Sequence, residues 1–309
     1  MGRGALILEK GEFGFLIKPL KGEFLGVSIS PLPDHAKRLE TVQRKSNKDG
    51  FYYSPQIATY NVHLATNKLK EKIERSEKPA SVFFLPPSHQ ISIQSPICTD
   101  GEKGTDEALI VYLLAYIYGT RLQPSKWKFD GRVPIKSVNN IYITDATCLD
   151  FLEHVYKWWV SLTESQRIKF VNILYVYTRA ASLEWDWDAF LHQYMVFDAL
   201  YNFHLEFKPY LKELKPTHKM RFNILCDAYS VFNEKLVNRI YNARNNLFHE
   251  AMWVNSTIGF GSLDGDAYQL PYYLATLNAQ LISSITGYKN EYARSPWWTR
   301  QTLEFDKMN

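Results

Sequence analysis

At 309 residues, 46% of them hydrophobic and 22% charged, the chain is long enough for one large core or two ordinary ones and too apolar to be disordered. A net charge of +4 is too small to announce nucleic acid by itself, and Cys98, Cys148 and Cys226, widely spaced and in no Cys-x-x-Cys, argue against a disulfide framework or zinc module and fit a reducing cytosol. No apolar run approaches the ~18 residues of a membrane span, and Met1-Gly2-Arg3-Gly4 leads only into a short apolar run before Glu9-Lys10, so the expected location is the cytoplasm, with no membrane partner.

Residues 1–104 read as a β-rich domain. Short apolar stretches at 5–8, 13–17, 24–29, 57–64, 82–85 and 91–93 are separated by Gly, Pro and charge, and the first hundred residues hold 7 of the 15 glycines and 8 of the 14 prolines. Between them, the charged run 67–77 predicts a short exposed helix. The basic excess lies here too, partly in Lys37-Arg38 and Arg44-Lys45, and reads as a solvated loop rather than a phosphate-binding patch.

Residues 105–143 form a connection. Thr105-Asp106-Glu107 offers an N-cap with acids in the first turn, and Ala108–Tyr118 is apolar nearly all round, which predicts a buried helix. Residues 144–309 are expected to be helical, since no glycine occurs between Arg132 and Ile258. Thr144 or Asp145, Thr163 (with Gln166 as a capping box), Asp186 or Asp188, Thr217 and Asn233 start successive helices, and a last long one spans 267–286. The fold expected is therefore α+β, an N-terminal β-rich domain followed by an all-α bundle.

The residues with chemistry lie at the end of the helix that Asn233 starts. Arg244-Asn245-Asn246-Leu247-Phe248-His249 places a cation, an amide and an imidazole in the pattern Arg-Asn-x-x-x-His. In a regular α-helix, five residues turn through about 500°, so Arg244 and His249 stand about 140° and about 7.5 Å apart. One helix then cannot close both on one phosphate unless it frays, whereas two copies about a two-fold axis can. Asn245, four residues before His249, lies on its face and is expected to orient the imidazole. The chemistry that suits this set is metal-independent RNA cleavage. Histidine moves protons near neutral pH, and an arginine fork stabilises charge growing on phosphoryl oxygens.

This motif resembles the R-x4-6-H signature of the HEPN superfamily (higher eukaryotes and prokaryotes nucleotide-binding), in whose ribonuclease members a polar residue, often Asn, follows the arginine. The helical setting over about residues 145–290 is similar too. A variable N-terminal domain ahead of a HEPN domain is similar to the ApeA-like anti-phage group. The resemblance implies a homodimeric endoribonuclease, acting in abortive infection or as a toxin, with Arg244, His249 and Asn245 catalytic and no metal or other cofactor. It implies RNA, tRNA included, as substrate, and a phage-derived trigger or an antitoxin as partner. Residues 1–104 would then sense or regulate. The alternative is a non-catalytic HEPN-like module that binds nucleotide or RNA, or a scaffold.

Lesser candidates flank the motif. His192 and Asp198, on the preceding long helix, are in reach of a supporting role, though an exposed helical face is the simpler reading. Arg239 extends a basic strip for RNA phosphate or pairs with Glu234 or Glu250. The stretch 259–266, with Asp264 and Asp266, lacks EF-hand spacing and reads as a loop. Trp158-Trp159 and Trp185-x-Trp187 read as core or dimer surface, and Trp297-Trp298 as a tail that packs.

Overall fold

The computed structural model describes residues 8–56, 60–63, 65–66, 68–72, 81–94, 96–97, 105–124, 127–136, 141, 143–231, 233–254, 256–258, 267–288, 290–296 and 305. The first third holds β1 (Leu8–Gly14), β2 (Gly22–Phe24), β3 (Val27–Pro31), α1 (His35–Lys45), β4 (Phe51–Tyr52), β5 (Tyr60–His63), β6 (Lys68–Lys72), β7 (Val82–Phe83) and β8 (His89–Gln94). Next come α2 (Asp106–Ile117), β9 (Gln123–Pro124), β10 (Phe129–Asp130) and β11 (Val133–Pro134). The fold is α+β, an antiparallel sheet near the N-terminus followed by helices.

Alternation builds the main sheet, ordered β2-β3-β8-β1-β9. In β8, His89, Ile91 and Ile93 are buried while Gln90 and Gln94 are exposed, as a sheet covered on one face requires. The apolar stretch 24–29 is not one strand but two. Leu25 and Gly26, at φ 43° and 79°, turn the chain between β2 and β3, the positive-φ pair that a tight hairpin needs. The expected helix over 67–77 is corrected as well: Lys68–Lys72 is a strand paired antiparallel with β5. Its charged residues favour a helix by propensity, but a partner strand in register outweighs that preference.

Residues 105–143 do more than connect, because β9 extends the main sheet while β10 pairs with β7 and β11 with β4. The sheet rests on α2, where every side chain except Glu107 is buried. One continuous core runs from Phe13, Ile29 and Ile91 through α2 into the helices beyond. The Tyr116 hydroxyl crosses this layer to the Ala279 carbonyl at 2.7 Å. Asp106, fully buried, accepts from the Tyr156 hydroxyl (2.7 Å), the Trp159 indole (2.9 Å) and the Ile97 amide (2.8 Å). Trp159 is thus core, as expected, whereas Trp185 is 46% exposed.

The helical part contains α3 (Asp145–Val160), α4 (Glu164–Ala180), α5 (Asp186–Phe207), a 3₁₀ turn (Pro209–Leu214), α6 (His218–Ala228) and α7 (Glu234–Asn245). A π-helical turn (Asn246–Glu250), a small hairpin of β12 (Met252–Trp253) and β13 (Ser256–Thr257), α8 (Gln269–Ile285) and α9 (Glu291–Arg294) follow. The local start signals act as expected. Side chains of Thr105, Thr144, Thr163, Thr217 and Asn233 each accept a backbone N–H three residues on, and Thr163 with Gln166 forms a full capping box. Trp297, Trp298 and the stretch 259–266 lie outside the described residues. Among the described residues no helix is long and apolar enough to cross a membrane.

Candidate functional site

Burial of Leu236, Val237, Ile240 and Ala243 on one side of α7, continued by Leu247, fixes the helix against the bundle and leaves Arg244 and Asn245 half-buried at its edge. Beyond Asn245 the helix widens. The Ala251 N–H donates to the Asn246 carbonyl five residues back, and Ala251, at φ 52°, ends the turn in the left-handed region.

The wider turn changes the geometry of the motif. His249 returns beside Arg244, whose Nη1 donates to its Nε2 at 3.2 Å. One chain therefore closes the pair unaided, by a departure from regular α-helix at the end of α7, the case in which a second copy is not required. Asn245 is also placed differently: its Oδ1 accepts from Arg244 Nη1 at 3.1 Å, so its amide braces the guanidinium rather than the imidazole. His249 and Phe248 are exposed, the latter at 56%, and the Phe248 ring lies under the guanidinium at 4.6 Å.

Two helices behind α7 complete the cluster. Nη2 of Arg244 donates to Nε2 of His218, the first residue of α6, at 3.2 Å. Arginine can only donate, so both facing ring nitrogens are acceptors and the His218 proton sits on Nδ1. From there it reaches the Tyr194 hydroxyl at 3.1 Å, with Asp198 Oδ1 at 3.7 Å. Arg221, one turn along α6, donates to the same carboxylate oxygen at 2.9 Å. Burial holds the His218 pKa below its ordinary value; Asp198 opposes this, and the charges of Arg244 and Arg221 reinforce it. Burial likewise raises the Tyr194 phenol, which stays a neutral donor and acceptor.

Of the flanking candidates, Asp198 joins the cluster and His192 does not. The His192 Nδ1 lies 3.0 Å from the Asp188 carbonyl on its own helix, and two residues' offset turns it about 200° from Tyr194. Arg239, half-buried, stands about 140° round α7 from Arg244, off the site's face. His204 contacts the Tyr229 hydroxyl at 3.2 Å. Among the described residues no group of His, Cys, Asp or Glu is arranged to hold a metal ion.

The residues missed in the sequence are Tyr194, His218 and Arg221. Tyr194 and Asp198 share a helix face at i, i+4, and His218 and Arg221 at i, i+3. Those spacings were a usable signal only once α5 and α6 were known to pack beside α7. Nη2 and Nη1 are thus engaged, while Nε of Arg244 is buried with no hydrogen-bond partner among the described residues. Compared with protein-family models, curated proteins and solved structures, the chain matches none.

Proposed function

We propose that the chain is a metal-independent endoribonuclease of the HEPN type. The observation that carries this reading is the contact of Arg244 with His249 on an exposed turn. It sets a phosphate-binding fork against a proton acceptor, the pairing that 2′-hydroxyl attack requires. In the reaction, Arg244 Nη1 turns from His249 Nε2 to the phosphate, which frees the Nε2 lone pair; O2′ then attacks the adjacent phosphorus and its proton passes to that nitrogen. The bond from phosphorus to O5′ breaks, and O5′ takes a proton from water. Arg244 binds the non-bridging oxygens as their charge grows. The products are a 2′,3′-cyclic phosphate and a 5′-hydroxyl. His218 and Asn245 are positioning residues that hold the guanidinium from either side.

The wider reading rests on the resemblance. The enzyme acts as a cytoplasmic homodimer packed across the motif helix, each protomer carrying a whole Arg–His pair. Its role is abortive infection against phage, or that of a toxin released by a phage-derived trigger or loss of an antitoxin. The exposed Phe248 ring supports a second reading, a non-catalytic module that binds RNA or nucleotide. A ring beside a cationic fork suits base stacking next to a phosphate.

Incubation of total RNA and purified tRNA with the protein in EDTA separates the two. Cleavage by wild type and not by His249→Ala, leaving cyclic or 3′-phosphate ends, supports the enzyme. Binding of RNA without cleavage supports the module, and cleavage by both proteins refutes the assignment of His249.

A further inference from the structure

The guanidinium of Arg244 has an imidazole on each side. Nη1 faces Nε2 of His249 and Nη2 faces Nε2 of His218, each at 3.2 Å. One planar fork therefore separates two ring nitrogens, both of them acceptors while Arg244 donates to them. His249 stands on the exposed turn, and the His218 side chain is 30% open to solvent, so each can exchange protons with water. The reaction at Arg244 and His249 gives O2′ a base and leaves O5′ to water. Displacement at phosphorus is in line, so the group that protonates the leaving oxygen belongs on the far side of phosphorus from the base. A phosphate that takes the place of the two imidazoles on the fork, one non-bridging oxygen to each Nη, has His249 at one end and His218 at the other.

The surroundings of His218 suit that task. From α5, the Tyr194 hydroxyl lies 3.1 Å and Asp198 Oδ1 3.7 Å from Nδ1. Arg221, on the same helix as His218, holds Asp198, and Arg244 of α7 lies between His218 and His249. Two restraints keep the ring neutral in the free protein. Nε2 cannot carry a proton while Nη2 donates to it, and burial, with the charges of Arg244 and Arg221, holds the pKa down against Asp198. A phosphodiester on Arg244 relieves both. The turned fork vacates Nε2, and the anionic charge of the phosphate offsets that of the guanidinium. Asp198 then favours the imidazolium, whose Nε2–H lies on the side of the phosphate.

We propose that His218 is the proton donor to the leaving group: once substrate has drawn Arg244 away, its Nε2 takes a proton from solvent and passes it, through water, to O5′ as the bond from phosphorus to O5′ breaks. The protons balance. His249 gains that of the 2′-hydroxyl, His218 gives one to the new 5′-hydroxyl, and exchange with water resets both. This rests on the ribonuclease reading of Arg244 and His249 and adds a second histidine to it. His218 thus acts twice, holding the guanidinium before substrate arrives and supplying a proton after.

Single-turnover cleavage in EDTA of an oligoribonucleotide, and of the same RNA with sulfur in place of the bridging O5′ at the cut, tests this. A thiolate leaves without a proton, since a thiol is far more acidic than an alcohol. The variant is His218→Gln, folded by circular dichroism, whose side-chain carbonyl still accepts from Nη2 of Arg244. It is expected to cut the oxygen substrate about 10²-fold or more slowly than wild type, and the sulfur substrate at a rate within about tenfold of wild type. Equal slowing on both substrates, or wild-type cleavage of the oxygen substrate by the variant, overturns the proposal and leaves the ribonuclease reading standing. RNA left uncut by the wild type in both forms overturns that reading, and this proposal with it. Imidazole proton resonances of the wild type give a second readout without cleavage. An RNA that is 2′-deoxy at the cut should raise the His218 midpoint by about 0.5 of a pH unit or more, and a bound analogue that leaves it unmoved overturns the proposal.

Discussion

Nη1 of Arg244 donates to Nε2 of His249 at 3.2 Å, five residues along the chain, because the helix passes from α to π between them. Single π turns are rare and concentrate at functional sites. Here the turn converts a pair of side chains on different faces into one two-group surface.

If that surface binds the scissile phosphate, the fork matters as well as the charge. Arg244→Lys keeps the charge, but an ammonium cannot span Asn245, His249 and His218 at once. RNA cleavage should fall by about 10²–10³-fold in Arg244→Lys, nearly as far as in Arg244→Ala. Single-turnover rates on a defined oligoribonucleotide measure this; a lysine variant within a few-fold of wild type would leave charge alone as the requirement.

The environment of His218 has charges of both signs, which makes its titration a signed test. Asp198 raises its pKa, while Arg244 and Arg221 lower it. Asp198→Asn should therefore move the His218 midpoint further down and Arg244→Ala should move it up, read from the imidazole proton resonances. A shift of either variant in the opposite direction would show that the ring is not held between these groups.

His89 is fully buried, with Nδ1 2.8 Å from the Ser88 hydroxyl. Burial first, then the neighbouring His35, lowers its pKa from 6.5 to about 4. Between those values the unfolded chain binds more protons than the folded one. Stability should thus rise as pH increases from about 4 to about 6.5, by up to about 3 kcal/mol from this residue. Melting temperatures across that range should show a steeper dependence for wild type than for His89→Gln; equal slopes would mean that His89 stays charged when folded.

Asp106 ties the sheet-bearing helix α2 to α3 through Tyr156 and Trp159. In Asp106→Ala these buried donors lose their acceptor, at a cost of about 3 kcal/mol or more. The melting temperature should drop by roughly 6–12 °C, and by less in Asp106→Asn, which keeps one acceptor. An alanine variant as stable as wild type would mean that water replaces the carboxylate.

How far the molecule was legible depended on the range of the interaction. Thr105, Thr144, Thr163, Thr217 and Asn233 declare their helices because a cap bonds an amide three residues away. The alternation of β8 is equally local. By contrast, Lys68–Lys72 reads as helical by propensity, and its pairing with β5 decides otherwise. His218 carries no mark in the chain; it matters because α6 sets it 26 residues in sequence and 3.2 Å in space from Arg244.

The sequence by itself determined the α+β order of elements, the helix starts and the presence of an Arg-Asn-x-x-x-His run at the end of a helix. Each follows from residues within a few positions of one another, where backbone geometry and side-chain type suffice. Tertiary structure alone decided that the run closes within one chain, that Asn245 braces Arg244, that Asp198 joins the cluster while His192 turns away, and that Tyr194, His218 and Arg221 stand behind it. Those outcomes depend on the rotation of α5, α6 and α7 about their axes and on one extra residue in a helical turn. Both are set by how the buried faces pack, and packing is a property of the whole core.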